Sequence, residues 1–438
     1  MKKIANWGNY PHRVADINTP VFEKDIHQLI NNDKPVTVRG LGRCYGDASL
    51  GEHIISMDKM DKILHFDAND GIITCQAGTS LDKILNFIVP KGWFLPVTPG
   101  TKFITVGGAI ASDVHGKNHH IDGCFSQHII EMKILLSDGQ TSICSPTINS
   151  EFFRLTCGGL GLSGVILEAS FSLKKIETSQ IDQQVYSAPN LKKLMEYFDE
   201  YSHYTYSVAW IDCFAKGKSL GRGHLIVGEH APSSSSSDKL KQHASPKINI
   251  PFRFPGWILN KVSIWTFNNL FYFVHKFGPK KKKVDYDAFF YPLDKINNWN
   301  KMYGKTGFLQ YQFVLPLNSS YEGLQQIIGK ISSNSTPSFL CVLKKFGSRN
   351  ENIMSFPDEG FTLALDFPIK NGVFELLDEL DEIVHQMGGK VYLTKDARLS
   401  RKHFEQGYPK HQDFMESITQ VNPKNKLSSD LLNRLTNK

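Results

Sequence analysis

The chain runs to 438 residues, more than one hydrophobic core comfortably serves, so two or three domains or subdomains are expected. Hydrophobic residues make up 41% and charged residues 21%, which excludes a disordered or fibrous chain and fits an ordinary globular enzyme. A net charge of +7 is modest for this length and tolerates anionic partners without calling for nucleic acid.

The opening MKKIANWGNY carries two lysines but no apolar run of signal-peptide length, so a cytoplasmic location is expected. From Pro35 to about Leu173, short β-like runs (PVTVRG, GIITCQAG, MKILLSDG, GVILEASFSL) alternate with glycine-punctuated turns and a helical SLDKILNFIVPKG. This predicts an α/β domain over residues 1–175. Strand-like segments then recur at YSVAWIDCF, GHLIVGEH, FLQYQFVLPL, SFLCVLKKFG and FTLALDFPI. Helical patterns lie at YEGLQQIIGKISS and FELLDELDEIVHQMGG, the latter closed by the glycine pair of a helix C-terminus. A mixed α+β domain with an antiparallel sheet is predicted over 176–390, and a polar, helical segment over 391–438 that packs back on the body.

One stretch breaks this pattern. Residues 233–283 open with a serine run, read as a flexible insertion, and continue into an aromatic-rich segment ending in Lys280, Lys281, Lys282 and Lys283. Ile258 to Phe277 is long enough to span a bilayer, but Asn260, Lys261, Asn268, Asn269 and His275 make spanning costly. Lying in the interface costs less, with Trp257, Trp265, Phe267, Phe271 and Phe273 among headgroups and the lysines on anionic lipid. A helical lid or a core helix accounts for the same residues, and periodicity does not separate the two.

Among the motifs, Gly159, Gly161 and Gly164 in GGLGLSG match G-x-G-x-x-G. A dinucleotide site needs a strand before those glycines and a helix after them, whereas here EFFRLTCG reads as helix and VILEASFSL as strand. VTVRGLGRCYGDASL places Gly40, Gly42 and Gly46 after a strand with Arg39 and Arg43 interleaved, a pattern suited to an anion nest or to a plain structural turn. VTPGTKFITVGGAIASDVHGKNHH adds Gly100, Gly107 and Gly108 with small neighbours, then His115; two such blocks suit a long cofactor gripped at several points. His115, His119 and His120 invite a metal, but Gly116 and Asn118 make a poor helix there and no carboxylate or cysteine completes a ligand set, so no metal is expected. The seven cysteines, Cys44, Cys75, Cys124, Cys144, Cys157, Cys213 and Cys341, form no C-x-x-C pair, which favours a reducing compartment.

With their order and spacing, these blocks resemble the FAD-binding domain of the vanillyl-alcohol oxidase and p-cresol methylhydroxylase (PCMH) superfamily, and within it the decaprenylphosphoryl-β-D-ribose 2-oxidase branch. The matching stretches are RGLGRCYGDA, PGTKFITVGGAIASDVHGKNHH, GGLGLSGVI, LQYQF, FLCVLKKFG with SFP after it, LDFPIK and YLTKDAR, spanning nearly the whole chain. The resemblance implies an α+β protein, with a two-subdomain PCMH-type FAD-binding domain and a substrate domain built on an antiparallel sheet.

Carried over by position, FAD contacts fall on Val38, Arg39, Gly40, Leu41, Gly42, Arg43, Cys44, Tyr45, Gly46, Asp47 and Ala48, then Gly100, Thr105, Val106, Gly107, Gly108, Ser112, Asp113, Val114 and His115, with Ile166 and Tyr392. Many relatives tether the flavin through a histidine in the first glycine loop. Arg43 and Cys44 stand in that neighbourhood, so FAD is expected to be non-covalent. The substrate side is expected to hold Tyr45, His115, Gln310, Gln312, Lys344, Ala364 and Lys395. Lys395 is the first candidate for catalysis, as a cation that binds the substrate oxygen and stabilises charge on the reduced flavin. His115 is the candidate to orient the hydroxyl or take its proton. Without the resemblance, YLTKDAR would read as a strand end with a solvated Lys-Asp pair. The family's active-site cysteine falls on Ala364, so covalent inactivation at that position is not expected.

The implied activity is oxidation of the 2-hydroxyl of a polyprenylphosphoryl pentose, the first half of an epimerisation in cell-envelope polysaccharide synthesis that a nicotinamide-dependent keto-reductase completes. The partners expected are the lipid-linked sugar and, peripherally, the inner membrane face. A soluble aldonolactone or alditol is the alternative substrate, and a flavin-containing membrane-associated binding protein without turnover is the alternative of another class.

Overall fold

The computed structural model describes residues 1–32, 34–233, 240–241, 248–256, 258–334, 338 and 340–436. Ser234 to Ser237 of the serine run and Trp257 lie outside the described residues. Two sheets form the N-terminal part. The first has four strands in the order Lys2–Ala5, His12–Asn18, His53–Ser56 and Thr37–Arg39, the last three mutually parallel. The second is a five-stranded antiparallel sheet ordered Ile63–Asp67, Ile72–Gln76, Val165–Ser172, Ile129–Leu135 and Thr141–Cys144. Period-2 burial explains the second sheet: Ile73 and Cys75, then Ala169 and Phe171, face one core shared with Leu81, Ile84, Leu85 and Ile88 of the helix Leu81–Ile88. The register slips between Ile166 and Glu168, a bulge where the sheet borders the central cavity.

An eight-stranded antiparallel sheet follows, ordered Lys281–Asp285, Gln180–Ala188, Gly223–His230, Tyr206–Ile211, Cys341–Phe346, Gly360–Pro368, Phe308–Pro316 and Lys390–Val391. One face, with Leu309, Tyr311, Phe313, Leu343, Leu363 and Leu365, is covered by the helices Leu191–Glu200, Leu317–Ser333 and Val373–Gln386. The alternate residues point the other way, and the register sets Gln310 opposite Asp366, Gln312 opposite Ala364 and Lys344 opposite Thr362. Polar residues are thus gathered on the face that looks at the N-terminal sheets. Helix Val373–Gln386 ends as its glycine pair predicts, with Gly388 at φ +71°.

Within the large sheet, the strands Gln180–Ala188 and Lys281–Asp285 have no counterpart in the sequence reading. Gln180–Ala188 carries its polar residues on a half-covered face, and Lys281–Asp285 is the lysine run itself, an edge strand pairing with Gln180–Gln184. Lysines on a sheet edge discourage strand addition by another chain. The aromatic segment before it forms the helix Lys261–Phe277. Among the described residues no helix is long and apolar enough to cross a membrane.

The C-terminal residues form the helices Arg401–Gly407, His411–Val421 and Asp430–Thr436. Leu427 makes a parallel bridge with Val36 and enters the core of the first sheet. The Arg434 guanidinium donates to both oxygens of Asp47 (2.8 and 3.0 Å) and to Asp396 (2.7 Å), fastening the end of the chain to the first glycine loop.

Candidate active site

A cavity of about 300 Å³ lies between the glycine loops and the polar face of the large sheet. The first loop lines it with Val38, Gly40, Leu41, Gly42, Arg43, Cys44, Tyr45 and Ala48, and the second with Gly100, Thr105, Gly107, Gly108, Ser112, Val114 and His115. Ile166 lines it beside the bulge, and Gln310, Gln312, Lys344, Ala364, Tyr392 and Lys395 close the far side. Residues expected on both sides of a cofactor therefore meet in one space.

Five expected cofactor contacts stand behind this wall instead. The Arg39 guanidinium is spent on Ala5 O, Ser49 O and Asn6 Oδ1, and Asp47 on Arg434. Val106 is buried in the N-terminal core. Asp113 accepts from Asn350 (2.6 Å), Asn352 (2.8 Å) and Ser355 (2.6 Å), which holds it at φ +40° and ties the second loop to the segment after strand Cys341–Phe346. At Gly46 a Cβ would collide with the Asp396 carbonyl, so glycine is required there by packing. These residues shape the wall without touching the cavity, a distinction that position in a motif does not carry.

The G-x-G-x-x-G element sits as its order predicts, after helix Ser150–Thr156 and before strand Val165–Ser172. Gly161 and Gly164 reach the cavity and Gly159 does not. Gly161 adopts φ +78° with nothing within 4 Å of a Cβ built there, and Gly100 is equally open. Backbone at both positions lies bare beside open space, a cradle that suits an elongated cofactor with a diphosphate and a flat ring. The donor set suits it too. Arg43, stacked 3.9 Å over the Trp7 ring, lines the cavity, and no carboxylate of the first loop faces it.

Electrostatics distinguish the sheet end of the cavity. Lys395 Nζ sits 4.0 Å from the Tyr45 ring centroid, and burial lowers its pKa to about 7, with Asp366 pulling it up and Lys344 pushing it down. Burial brings Lys344 to about 8. Burial likewise raises Asp366 to about 6, against its hydrogen bond from Gln310 and the nearby Lys395. Tyr45 is pushed well above its usual value, chiefly by burial, so its phenol stays protonated. His115 is wedged among Phe346, Phe356 and Tyr392 (ring centroids 4.8, 5.6 and 5.2 Å). Its Nε2 accepts from Gln312 Nε2 at 3.1 Å, while Nδ1 is buried with no partner among the described residues. Burial, then Lys344, His119 and Lys395, hold His115 well below its usual value, so it is neutral and not the near-neutral titrating imidazole that the residue type suggests.

Of the other two histidines, His119 Nδ1 accepts from Gly347 N–H (3.1 Å) and His120 Nε2 is bonded to Tyr204 O (2.9 Å). Both tie the second loop to the large sheet, and among the described residues no group of three or more His, Cys, Asp or Glu is arranged around a metal position.

Four residues at the site escaped the sequence reading. Asp366, fully buried, accepts from Gln310 Nε2 (2.6 Å) and Tyr303 OH (3.2 Å). Asp294 lines the cavity and accepts from Thr101 Oγ1 (3.0 Å) and Lys102 N–H (2.9 Å), with burial raising it to about 6. Trp7 and Trp299, edge to face at 5.7 Å, form an apolar flank. Asp366 was within reach, because alternation along FTLALDFPI puts it on the same face as Ala364. Trp7, Asp294 and Trp299 are brought in by chain crossings that no local pattern announces.

Residues 24–145 match the FAD binding domain family. Decaprenylphosphoryl-beta-D-ribose oxidase of Mycolicibacterium smegmatis is 35% identical over 99% of this chain and 97% of its own length. L-gulonolactone oxidase of Bos taurus is 22% identical over 92% of this chain and 91% of its own length, and a putative D-arabinono-1,4-lactone oxidase of Neurospora crassa is 29% identical over 37% of this chain and 28% of its own. The chain takes FAD as its cofactor and is an oxidoreductase acting on CH–OH groups. Two glycine loops facing a lysine-bearing sheet, in a chain matched almost end to end, make it a member of the decaprenylphosphoryl-β-D-ribose oxidase family.

Proposed function

We propose that this enzyme oxidises the 2-hydroxyl of a polyprenylphosphoryl-β-D-ribose to a ketone, with FAD held non-covalently between residues 1–175 and the returning segment 391–438, and with residues 176–390 supplying the substrate face. The observation that carries the reading is the meeting of Lys395, Lys344, Gln310, Gln312 and His115 at one end of the cavity. Bound FAD would supply the two-electron acceptor for the hydride of the carbinol carbon. Lys395, near neutrality through burial, takes up the hydroxyl proton, and the resulting ammonium adds positive charge to this end of the cavity. Gln312 holds the neutral His115 by Nε2, leaving its Nδ1–H to donate to a substrate oxygen. Lys344 adds positive charge for an anionic substrate. Non-covalent binding is supported by the loop itself: no histidine is present there, and Cys44, 3.1 Å from Ser49 Oγ, is kept protonated by burial.

The relative from Mycolicibacterium smegmatis is named for a lipid-linked ribose, and its match over the whole chain favours that substrate class here. The keto-sugar would pass to a nicotinamide-dependent reductase for completion of the epimerisation. The test is anaerobic titration of the purified yellow protein. Bleaching of the flavin by prenylphosphoryl ribose and not by aldonolactones or alditols is expected, whereas bleaching by the soluble compounds alone would move the enzyme to the lactone-oxidase reading. No bleaching by any sugar, with FAD still bound, would favour a binding protein.

A further inference from the structure

The helix Lys261–Phe277 is inverted relative to a surface helix of an ordinary soluble domain. Its packed side, facing strands Gln180–Ala188 and Gly223–His230, presents Ile264, Asn268 and Tyr272. Asn268 Nδ2 donates to Asp212 (2.8 Å), and Tyr272 stacks on His224 with ring centroids 5.0 Å apart. Its outward side carries Val262, Trp265, Leu270, Phe273, Val274 and Phe277, between 46% and 78% exposed. Leu270, Phe273, Val274 and Phe277 fall at i, i+3, i+4 and i+7, one continuous apolar stripe. Scattered exposed apolar residues need no explanation, but a stripe of this size does.

Charge says what covers it. Residues 239–284 contain ten Lys or Arg and no Asp or Glu, so the remaining 40 basic and 43 acidic residues leave the rest of the chain slightly negative. The whole positive charge of the protein is therefore concentrated in the segment that bears the apolar stripe. Lys281, Lys282 and Lys283 stand exposed on the edge strand that follows the helix, and Lys280 caps it by donating to Lys276 O (2.6 Å) and His275 O (3.2 Å). Through Ile264 the helix also joins the apolar cluster of Trp299, Tyr303 and Phe308, against which the cavity residue Tyr45 packs.

We propose that the outward face of helix Lys261–Phe277 and the lysines of residues 280–283 form a docking surface for an anionic lipid bilayer. The helix lies in the headgroup zone, aromatic and aliphatic side chains enter the acyl boundary, and the lysines pair with lipid phosphates. The apolar cluster then connects the bilayer to the cavity, so that a lipid-linked substrate of the kind proposed above reaches Tyr45 without its chain crossing water; this last step alone rests on that reading.

Docking itself is tested with no sugar present. The FAD-loaded protein is sedimented with vesicles of phosphatidylglycerol mixed into phosphatidylcholine, and with vesicles of phosphatidylcholine alone. Binding to the anionic vesicles that weakens as salt rises is expected. The triple substitution Lys281→Gln, Lys282→Gln and Lys283→Gln should lower partitioning on the order of a hundred-fold, at about fivefold per lysine. Leu270→Ser, Phe273→Ser and Phe277→Ser together should abolish it, while both variants keep the flavin spectrum and melting temperature of the parent. Absence of wild-type binding at low salt, or equal binding to neutral vesicles indifferent to the lysines, would overturn the proposal. So would a solution dimer that the apolar triple substitution converts to monomer, because the stripe would then be an interface between copies.

Discussion

Replacing Asp366 by Asn isolates the electrostatics of Lys395, the proposed catalytic lysine, from the geometry of the cavity. The carboxylate is fully buried and receives Gln310 Nε2 at 2.6 Å and Tyr303 OH at 3.2 Å, and asparagine keeps an acceptor for Gln310 while the tyrosine hydroxyl can turn to accept. What is lost is charge. With burial placing Asp366 at about 6, it is about nine-tenths ionised at neutral pH, and it is the main group raising the pKa of Lys395. A charge pair beyond contact in a site of effective dielectric about 20 interacts by about 1–2 kcal/mol, or about one pH unit. The sign is fixed: without the carboxylate the ammonium is less favoured, so the midpoint for Lys395 falls from about 7 toward 6. If neutral Lys395 takes the hydroxyl proton, the rate of flavin reduction rises with pH through that midpoint, and in Asp366→Asn the rise moves to lower pH. Stopped-flow absorbance of the bound flavin under anaerobic conditions reads it directly. A rate lowered equally at every pH with an unmoved midpoint would refute the reasoning and leave Asp366 as a prop for Gln310.

Lys395→Met leaves the glycine loops of the proposed FAD site untouched and should keep FAD bound, but slow its reduction by on the order of a hundred-fold or more and remove the pH midpoint near 7. Retained FAD is read from the absorbance of the desalted protein. Arg434→Ala leaves Asp47, 5% exposed, without its guanidinium partner and takes one ion pair from Asp396, 3% exposed, which keeps the N–H groups of Arg398 and Leu399; it should destabilise the fold by roughly 3 kcal/mol with faster FAD release, and denaturant unfolding and flavin fluorescence measure the two.

Legibility in the sequence followed the range of the forces involved. The glycine loops were readable because bare backbone beside a cofactor is demanded locally, and Gly100, Gly107 and Gly108 line the cavity accordingly. The strands carrying Gln310, Gln312 and Lys344 were readable because alternation along each is local too. The role of Asp366 comes from cross-strand register with Gln310, and that of Asp113 from three donors at residues 350–355, so both depend on which segments lie side by side. The lysine run was legible as charge and illegible as a strand, because its pairing is fixed by Gln180–Gln184, about 100 residues away. For His115 the residue type misled: the surrounding aromatic rings and cations, not the imidazole itself, decide its proton.

Ala364 offers a way to test the cavity wall chemically. It lies on the cavity side of strand Gly360–Pro368, opposite Gln312 on one neighbour and Val342 on the other, and its side chain is half-buried. A thiol placed there by Ala364→Cys would enter the open space and not the core, so little stability should be lost. The native cysteines are poor competitors, since six are buried and Cys44 is hydrogen-bonded to Ser49 with its thiol protonated. Lys344 and Lys395 on the same face favour a thiolate at position 364, so a maleimide should label the variant at one additional site. If Gln312 and Lys395 bind the reacting sugar, the substrate that bleaches the flavin should also shield that thiol. Labelling that is rapid but indifferent to substrate would place the sugar elsewhere in the cavity. Absence of labelling in the folded variant would show that this face is closed, and with it the assignment of Gln310, Gln312 and Lys344 to the substrate side would fall.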